Sequence, residues 1–137
     1  MTDPKLIADR YIALWNETDP AVRRRLLAED WLEQASYVDP MMAGRGVADI
    51  DALIAGVQKQ FPSYSFRLTG KPDGHGENIR FSWALGPGDY VDAPIEGTDF
   101  ARLENGRIAA VTGFLDRVRS EERRVGKECR SRWSPYH

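Results

Sequence analysis

IEGTDFARLENGRIAAVTGFL, Ile95 to Leu115, is the stretch whose reading decides the fold. At its centre Asn105-Gly106 is the dipeptide favoured in two-residue hairpin turns, where both residues must accept positive φ. Ile95 to Leu103 and Arg107 to Leu115 alternate like strands on either side, so the stretch reads as two antiparallel neighbours. One face of the first strand carries Ile95, Gly97, Asp99, Ala101 and Leu103, which leaves Asp99 as the only ionisable group among apolar neighbours. Burial there is expected to raise the carboxyl pKa and keep the group protonated, able to donate a hydrogen bond.

Upstream, Tyr64 to Thr69 and Ile79 to Leu85 show the same alternation, with hairpin turns expected at Lys71-Pro72-Asp73-Gly74 and Gly86-Pro87-Gly88. The first half of the chain reads differently. Asp3-Pro4 is an N-cap with proline at the first helical position, and Ile7, Tyr11, Leu14 and Trp15 follow at spacings of three and four. Asp19-Pro20 repeats the device and opens a second helix through Leu26 and Leu27. Trp31 to Val38 reads as a strand that Asp39-Pro40 ends, since proline cannot donate to a ladder. After a turn at Gly44 to Gly46, Ile50, Leu53, Ile54, Val57 and Phe61 mark a third helix, stopped by Pro62. Helices bunched first and strands afterwards predict an α+β fold, three N-terminal helices packed on one face of a curved, mostly antiparallel sheet.

Arg119 to His137, RSEERRVGKECRSRWSPYH, has no hydrophobic period and is similar over its whole length to the in-frame translation of a common sequencing adapter. It is therefore read as a non-native, unstructured tail beside one domain spanning residues 1 to 118. The other reading of the segment is a basic tail that holds nucleic acid or an acidic partner. Six of the 19 basic and three of the 21 acidic residues fall in this tail, so the remainder carries 13 against 18, a net charge of −5. An acidic domain with no basic stripe argues against nucleic acid and anionic membrane as partners. The single cysteine, Cys129, is in the tail, which excludes a disulfide framework or a thiolate metal site from the domain. No stretch approaches the roughly 20 apolar residues of a membrane span, and Met1-Thr2-Asp3-Pro4 does not begin a signal peptide, so a cytoplasmic location is expected.

The element order ααβαββββ, with Asp-Pro closing the first strand, resembles the NTF2-like superfamily over residues 3 to 117. RYIALWNETDP (Arg10 to Pro20), SYVDP (Ser36 to Pro40) and TDFARLENGRI (Thr98 to Ile108) carry the resemblance. That superfamily includes ketosteroid isomerase, SnoaL-like polyketide cyclases and limonene-epoxide hydrolase. The resemblance implies a conical pocket between sheet and helices and a homodimer formed through the sheet. Apolar residues on both faces of the later strands, such as Phe81, Trp83 and Phe100, agree with such a dimer.

Laid on ketosteroid isomerase, Tyr11 falls on the oxyanion tyrosine, Asp39 on the general base and Asp99 on the protonated oxyanion aspartic acid; the resemblance implies these roles. Their chemistry is coherent, because taking a proton beside a carbonyl needs a carboxylate near the carbon and donors on the oxygen. Trp15, Tyr37, Phe61, Trp83 and Phe114 are the expected substrate-binding residues, and a small hydrophobic molecule the expected ligand. Each catalytic candidate also has an ordinary use: Tyr11 as core, Asp39 as a turn residue before proline, Asp99 as a structural partner of Tyr11. His75, in Asp-Gly-His-Gly, reads as a solvated turn residue.

A limonene-epoxide hydrolase is disfavoured: Arg80 matches its arginine, but Ser82 and Gly113 stand where its two aspartates belong. A SnoaL-like polyketide cyclase stays open, since aldol closure also passes through an enolate. So does a non-catalytic module for hydrophobic-ligand binding or dimerisation, given the dry stretch Gly113, Phe114 and Leu115. No metal or organic cofactor is implied, because the domain has one histidine, His75, and no glycine-rich phosphate loop. Deleting Arg119 to His137 is expected to leave the melting temperature unchanged, and a loss of several degrees in a thermal scan would show that the segment belongs to the fold.

Overall fold

Helices begin where the sequence supplies caps in the computed structural model, which describes residues 3 to 118. The Asp3 carboxylate accepts a hydrogen bond from the backbone N of Lys5 at 3.0 Å and opens α1 (Pro4–Asn16). Asp19 does the same for Ala21 at 2.9 Å and opens α2 (Pro20–Asp30). The chain continues through β1 (Trp31–Val38), β2 (Ala43–Arg45), α3 (Val47–Gln60), β3 (Tyr64–His75), β4 (Asn78–Pro87), β5 (Ile95–Glu104) and β6 (Arg107–Val118). The foreign tail expected at Arg119 to His137 lies outside the described residues.

The six strands form one open sheet in the order β2-β1-β6-β5-β4-β3. Every neighbouring pair is antiparallel except β1 and β6, which run parallel. α1 lies on β3 and β4, α3 on β1 and β2, and α2 packs on α3, β1 and β6. Each amphipathic helix buries the stripe its spacing predicts: Ala8, Tyr11, Leu14 and Trp15 on α1, then Ile50, Ile54 and Val57 on α3. These meet Trp31, Phe81, Ile79, Leu103 and Val111 from the sheet, all fully buried. Complete burial of one such side chain contributes about 1.5–3 kcal/mol, so the layer between helices and sheet is the main source of stability. This is the expected α+β architecture.

Four local expectations need correction. Ala43–Arg45, overlapping the Gly44 to Gly46 stretch read as a turn, is a short strand paired antiparallel with the end of β1. β3 does not turn at Lys71-Pro72-Asp73-Gly74 but runs on to His75, with an irregularity between Thr69 and Asp73 and the turn at Gly76-Glu77. Pro72 is tolerated in this strand because β3 lies at the sheet edge, where its missing N–H takes no bond from the ladder. Gly86 and Pro87 belong to β4, so the connection to β5 is a loop over residues 88–94 rather than a tight turn. Phe81 and Trp83 do not face outward: both are buried on the inner face, whereas Phe100 and Phe114 are 42% and 54% exposed on the outer one. The Asn105-Gly106 hairpin stands as read, with φ of 53° and 83° at its two residues.

α2 is the exception among the helices, for it buries only Leu27 and Arg23. The Arg23 guanidinium donates to Asp51 and Gln58 on α3 and to the carbonyl of Glu17, so a charge sits inside the helical layer with three hydrogen-bond partners. Among the described residues no helix is long and apolar enough to cross a membrane. Removing one partner of a buried ion pair leaves the other charge without compensation, typically at about 3 kcal/mol or more. Asp51→Ala is therefore expected to lower the unfolding free energy by about 3 kcal/mol in a denaturant titration. A loss below about 1 kcal/mol would be the behaviour of a surface pair instead.

Candidate active site

Strand register decides which side chains meet. Asp99 stands on the inner face of β5, opposite Phe81 of β4 on one side and Gly113 of β6 on the other. It is 3% exposed. A methyl group on Gly113 would lie 2.8 Å from Asp99 Oδ1 and 3.1 Å from Asp39 Cβ. The absence of that methyl is what lets two acidic side chains share one hollow.

Two donors reach Asp99. The Tyr11 hydroxyl, carried inward on the buried stripe of α1, donates to Oδ2 at 2.6 Å. The indole N–H of Trp83, from β4, donates to Oδ1 at 3.1 Å. Burial pushes the Asp99 carboxyl up to about 6; the Tyr11 and Trp83 hydrogen bonds pull it down, and the charges of Asp39 and Asp116 push it up. The rise has the expected direction, but at neutral pH a group at this value is largely ionised and accepts from both donors.

Asp39 lies just beyond β1, half-buried. Its Oδ1 accepts from the backbone N–H groups of Met41 and Met42 at 2.7 and 2.9 Å, and its Oδ2 from the Tyr37 hydroxyl at 2.6 Å. The Asp-Pro pair thus does both things open to it, closing a turn through its side chain and presenting a carboxylate to the cavity. Burial and the neighbouring carboxylates hold the Tyr11 and Tyr37 hydroxyls well above the usual tyrosine range, so both remain protonated donors.

These groups converge on a single cavity of about 30 Å³, lined by Tyr11, Trp15, Tyr37, Asp39, Trp83 and Asp99 together with apolar side chains. A water needs roughly 10–15 Å³ measured in this way, so the resting cavity has room for about two. Its aromatic wall is continuous, with ring centroids 5.5 Å apart for Trp15 and Tyr37, 5.7 Å for Trp15 and Phe66 and 5.3 Å for Phe66 and Trp83.

Of the eight site residues read from the sequence, six line this cavity and two do not. Phe61 lines a separate hollow of about 70 Å³ and stacks near Tyr64 at 5.2 Å. Phe114 points to the outer face, because strand alternation turns it away when Gly113 faces in. Leu115 does line the cavity, so of the run Gly113, Phe114 and Leu115 it is Leu115 that forms part of the apolar wall. Phe66 is a lining residue that the sequence did not single out, and no local pattern marks it as a ligand contact. Arg80 is two-thirds exposed and pairs with Asp73 at 3.3 Å, outside the cavity. His75 is exposed at the end of β3. Among the described residues there is no group of three or more His, Cys, Asp or Glu able to hold a metal ion.

The profile of the SnoaL-like domain matches residues 8–111. A search of curated proteins finds no match. Among solved structures, one from Agrobacterium tumefaciens, provisionally named an isomerase of the SnoaL-like family, is 46% identical. The match covers 82% of this chain and 97% of that one, with a TM-score of 0.79. A provisionally named ketosteroid isomerase from Kribbella flavida is 19% identical over 85% of this chain and 80% of its own, with a TM-score of 0.63. A provisionally named SnoaL-like polyketide cyclase from Jannaschia is 17% identical over 82% and 87%, with a TM-score of 0.62. The two distant likenesses show the fold alone, and the fold supports many chemistries. With its inner-face acids, its helix-borne tyrosine and a profile match over most of its length, the chain belongs to the SnoaL-like domain family.

Proposed function

We propose that the domain is a small-molecule enzyme that abstracts a proton next to a carbonyl and stabilises the resulting enolate, in the manner of ketosteroid isomerase. The observation that carries the reading is the meeting of Asp39, Asp99 and Tyr11 on one small apolar cavity. Asp39 takes the proton from carbon and the electron pair moves onto the carbonyl oxygen. Tyr11 and the protonated form of Asp99 donate to that oxygen, where preorganised donors in a dry site act most strongly. Return of the proton from Asp39 to a different carbon completes an isomerisation.

The small cavity supports a second reading. With room for about two waters, the resting cone suits a non-catalytic module whose interior is core, and a ligand must displace part of the wall to enter. The SnoaL-like cyclase reading shares the enolate and differs only in the substrate. The homodimer is likewise a proposal. Its support is the outer sheet face, where Val38, Phe100 and Phe114 are exposed and the register sets Val38 and Phe100 on either side of Thr112.

A screen of compact β,γ-unsaturated ketones, followed by absorbance of the conjugated product, tests the enzyme reading. Asp39→Asn is expected to lower turnover by about 10²–10⁴-fold with binding nearly intact, because the amide keeps the size and loses the basic lone pair. Tyr11→Phe is expected to cost about 3 kcal/mol of transition-state stabilisation. Asp99 donates only when protonated, so kcat/KM is expected to fall by about tenfold per unit as pH rises past about 6, and Asp99→Asn to remove that fall. A profile that instead rises through 6 would exchange the roles of the two carboxylates, and equal negligible effects from all three substitutions would leave the resemblance one of fold only. For assembly, light scattering at micromolar concentration is expected to give a dimer that Phe114→Glu splits; a clean wild-type monomer rules it out.

A further inference from the structure

Trp83 sits directly across the ladder from Gly97, and a methyl group on Gly97 would collide with the indole Cζ2 and lie only 2.6 Å from the carbonyl oxygen of Phe114. The ring also meets Phe66 in an edge-to-face contact, with centroids 5.3 Å apart. The indole is thus seated by a missing side chain and an aromatic contact. Its N–H, a donor with no acceptor capacity, is directed at Asp99 Oδ1. Core filling alone does not require this bond: Trp15, in the same cavity wall, buries its indole N–H with no hydrogen-bond partner at all.

We propose that Trp83 is a positioning residue for Asp99, seated by Gly97, which decides which carboxyl oxygen carries the acid proton. The inference rests on the reading of Asp99 as an oxyanion donor. A carboxyl group turns readily about its last torsion, since sp³–sp² rotation is broad. The indole N–H is fixed in its ring and cannot turn away from Oδ1, whereas the Tyr11 hydroxyl that donates to Oδ2 can rotate its proton toward the cavity, so protonation falls on Oδ2. Oδ2 is the oxygen beside the Tyr11 hydroxyl, and the pair then presents two O–H groups to one point in the cavity. Without the indole N–H the proton has two places to reside and only one of them is productive.

The same hydrogen bond favours the ionised form, so its loss moves the titration upward. The titratable groups acting on Asp99 are Tyr11 from α1, Tyr37 and Asp39 from β1 and the turn after it, and Asp116 from β6. None of them is basic, so no counter-charge masks the change.

The test is a carbon-13 NMR titration of the Asp99 carboxyl in the full chain, with Asp99→Asn used to assign the resonance. Trp83→Phe keeps an aromatic ring and removes the N–H; it is expected to raise the midpoint by about one pH unit. Gly97→Ala keeps Trp83 and crowds both the ring and the Phe114 carbonyl of β6, which moves the ring off its seat, and is expected to shift the midpoint in the same direction. A midpoint unchanged or lowered in folded Trp83→Phe overturns the proposal, and a normal midpoint in folded Gly97→Ala overturns the seating. The titration needs no substrate, so an upward shift in a protein that turns over no ketone would sink the enolising function and leave the role of Trp83 standing. Where turnover is measured, the fall of kcat/KM with rising pH is expected to begin about one unit higher in Trp83→Phe, with the low-pH plateau lowered about twofold.

Discussion

A carboxyl group at the centre of an apolar layer is the constraint around which the other parts of this domain are arranged. Asp99 is removed from water by the helices above it and the strands beside it, and an isolated carboxylate in such a place is costly. The protein meets that cost with two donors from opposite directions, one on α1 and one on β4, and with missing side chains at Gly97 and Gly113 that make room. The donors do not cancel the burial. The group is left near pH 6, where either protonation state is within easy reach of physiological conditions.

The second acid is handled in the opposite way. Asp39 is held from the backbone side by two N–H groups of its own turn and by a tyrosine two residues upstream, so its position is set by local sequence. Asp99 is set by residues 88 and 16 positions away in the chain. Local anchoring makes one carboxylate independent of how the helices settle on the sheet; remote anchoring makes the other sensitive to it. A shift of α1 on the sheet therefore alters one member of the pair and spares the other.

This contrast also explains what was legible in the sequence. Ile95 to Leu103 announced its buried face by alternation, and Asp99 stood out on it because a period of two is a local property. Tyr11 was legible for the same reason on a helical period. Asp-Pro at 39 and 40 marked the strand end, but the donors that hold Asp39 were not readable, since they depend on the turn's geometry. Trp83 was read as a wall residue and an outward-facing one at once; strand parity, which sets it opposite Gly97, decides between them. Phe114 was misplaced because Gly113, Phe114 and Leu115 were read as one apolar run rather than as alternating faces. Arg23 gave no signal at all: inside Arg23-Arg24-Arg25 nothing distinguishes the one arginine that turns inward to Asp51. The turn expected at Lys71 to Gly74 failed because Pro-Asp-Gly is also compatible with an edge strand carrying an irregularity.

The parallel pairing of β1 with β6 has a consequence for how the molecule comes into being. Every other ladder joins strands close in sequence, and such local pairings form early because little chain entropy is lost in closing them. β1 must wait for β6, whose paired residues begin at Ile108, before it has its inner neighbour. Asp39 rides at the end of β1 and Asp99 on β5, so the two acids are brought together only by this last, long-range docking step. During synthesis β1 emerges with no partner on its inner edge, and it stays so until β6 has left the ribosome. The cavity is therefore assembled only when β6 docks, and a chain truncated before β6 would possess most of the residues of the site without its geometry.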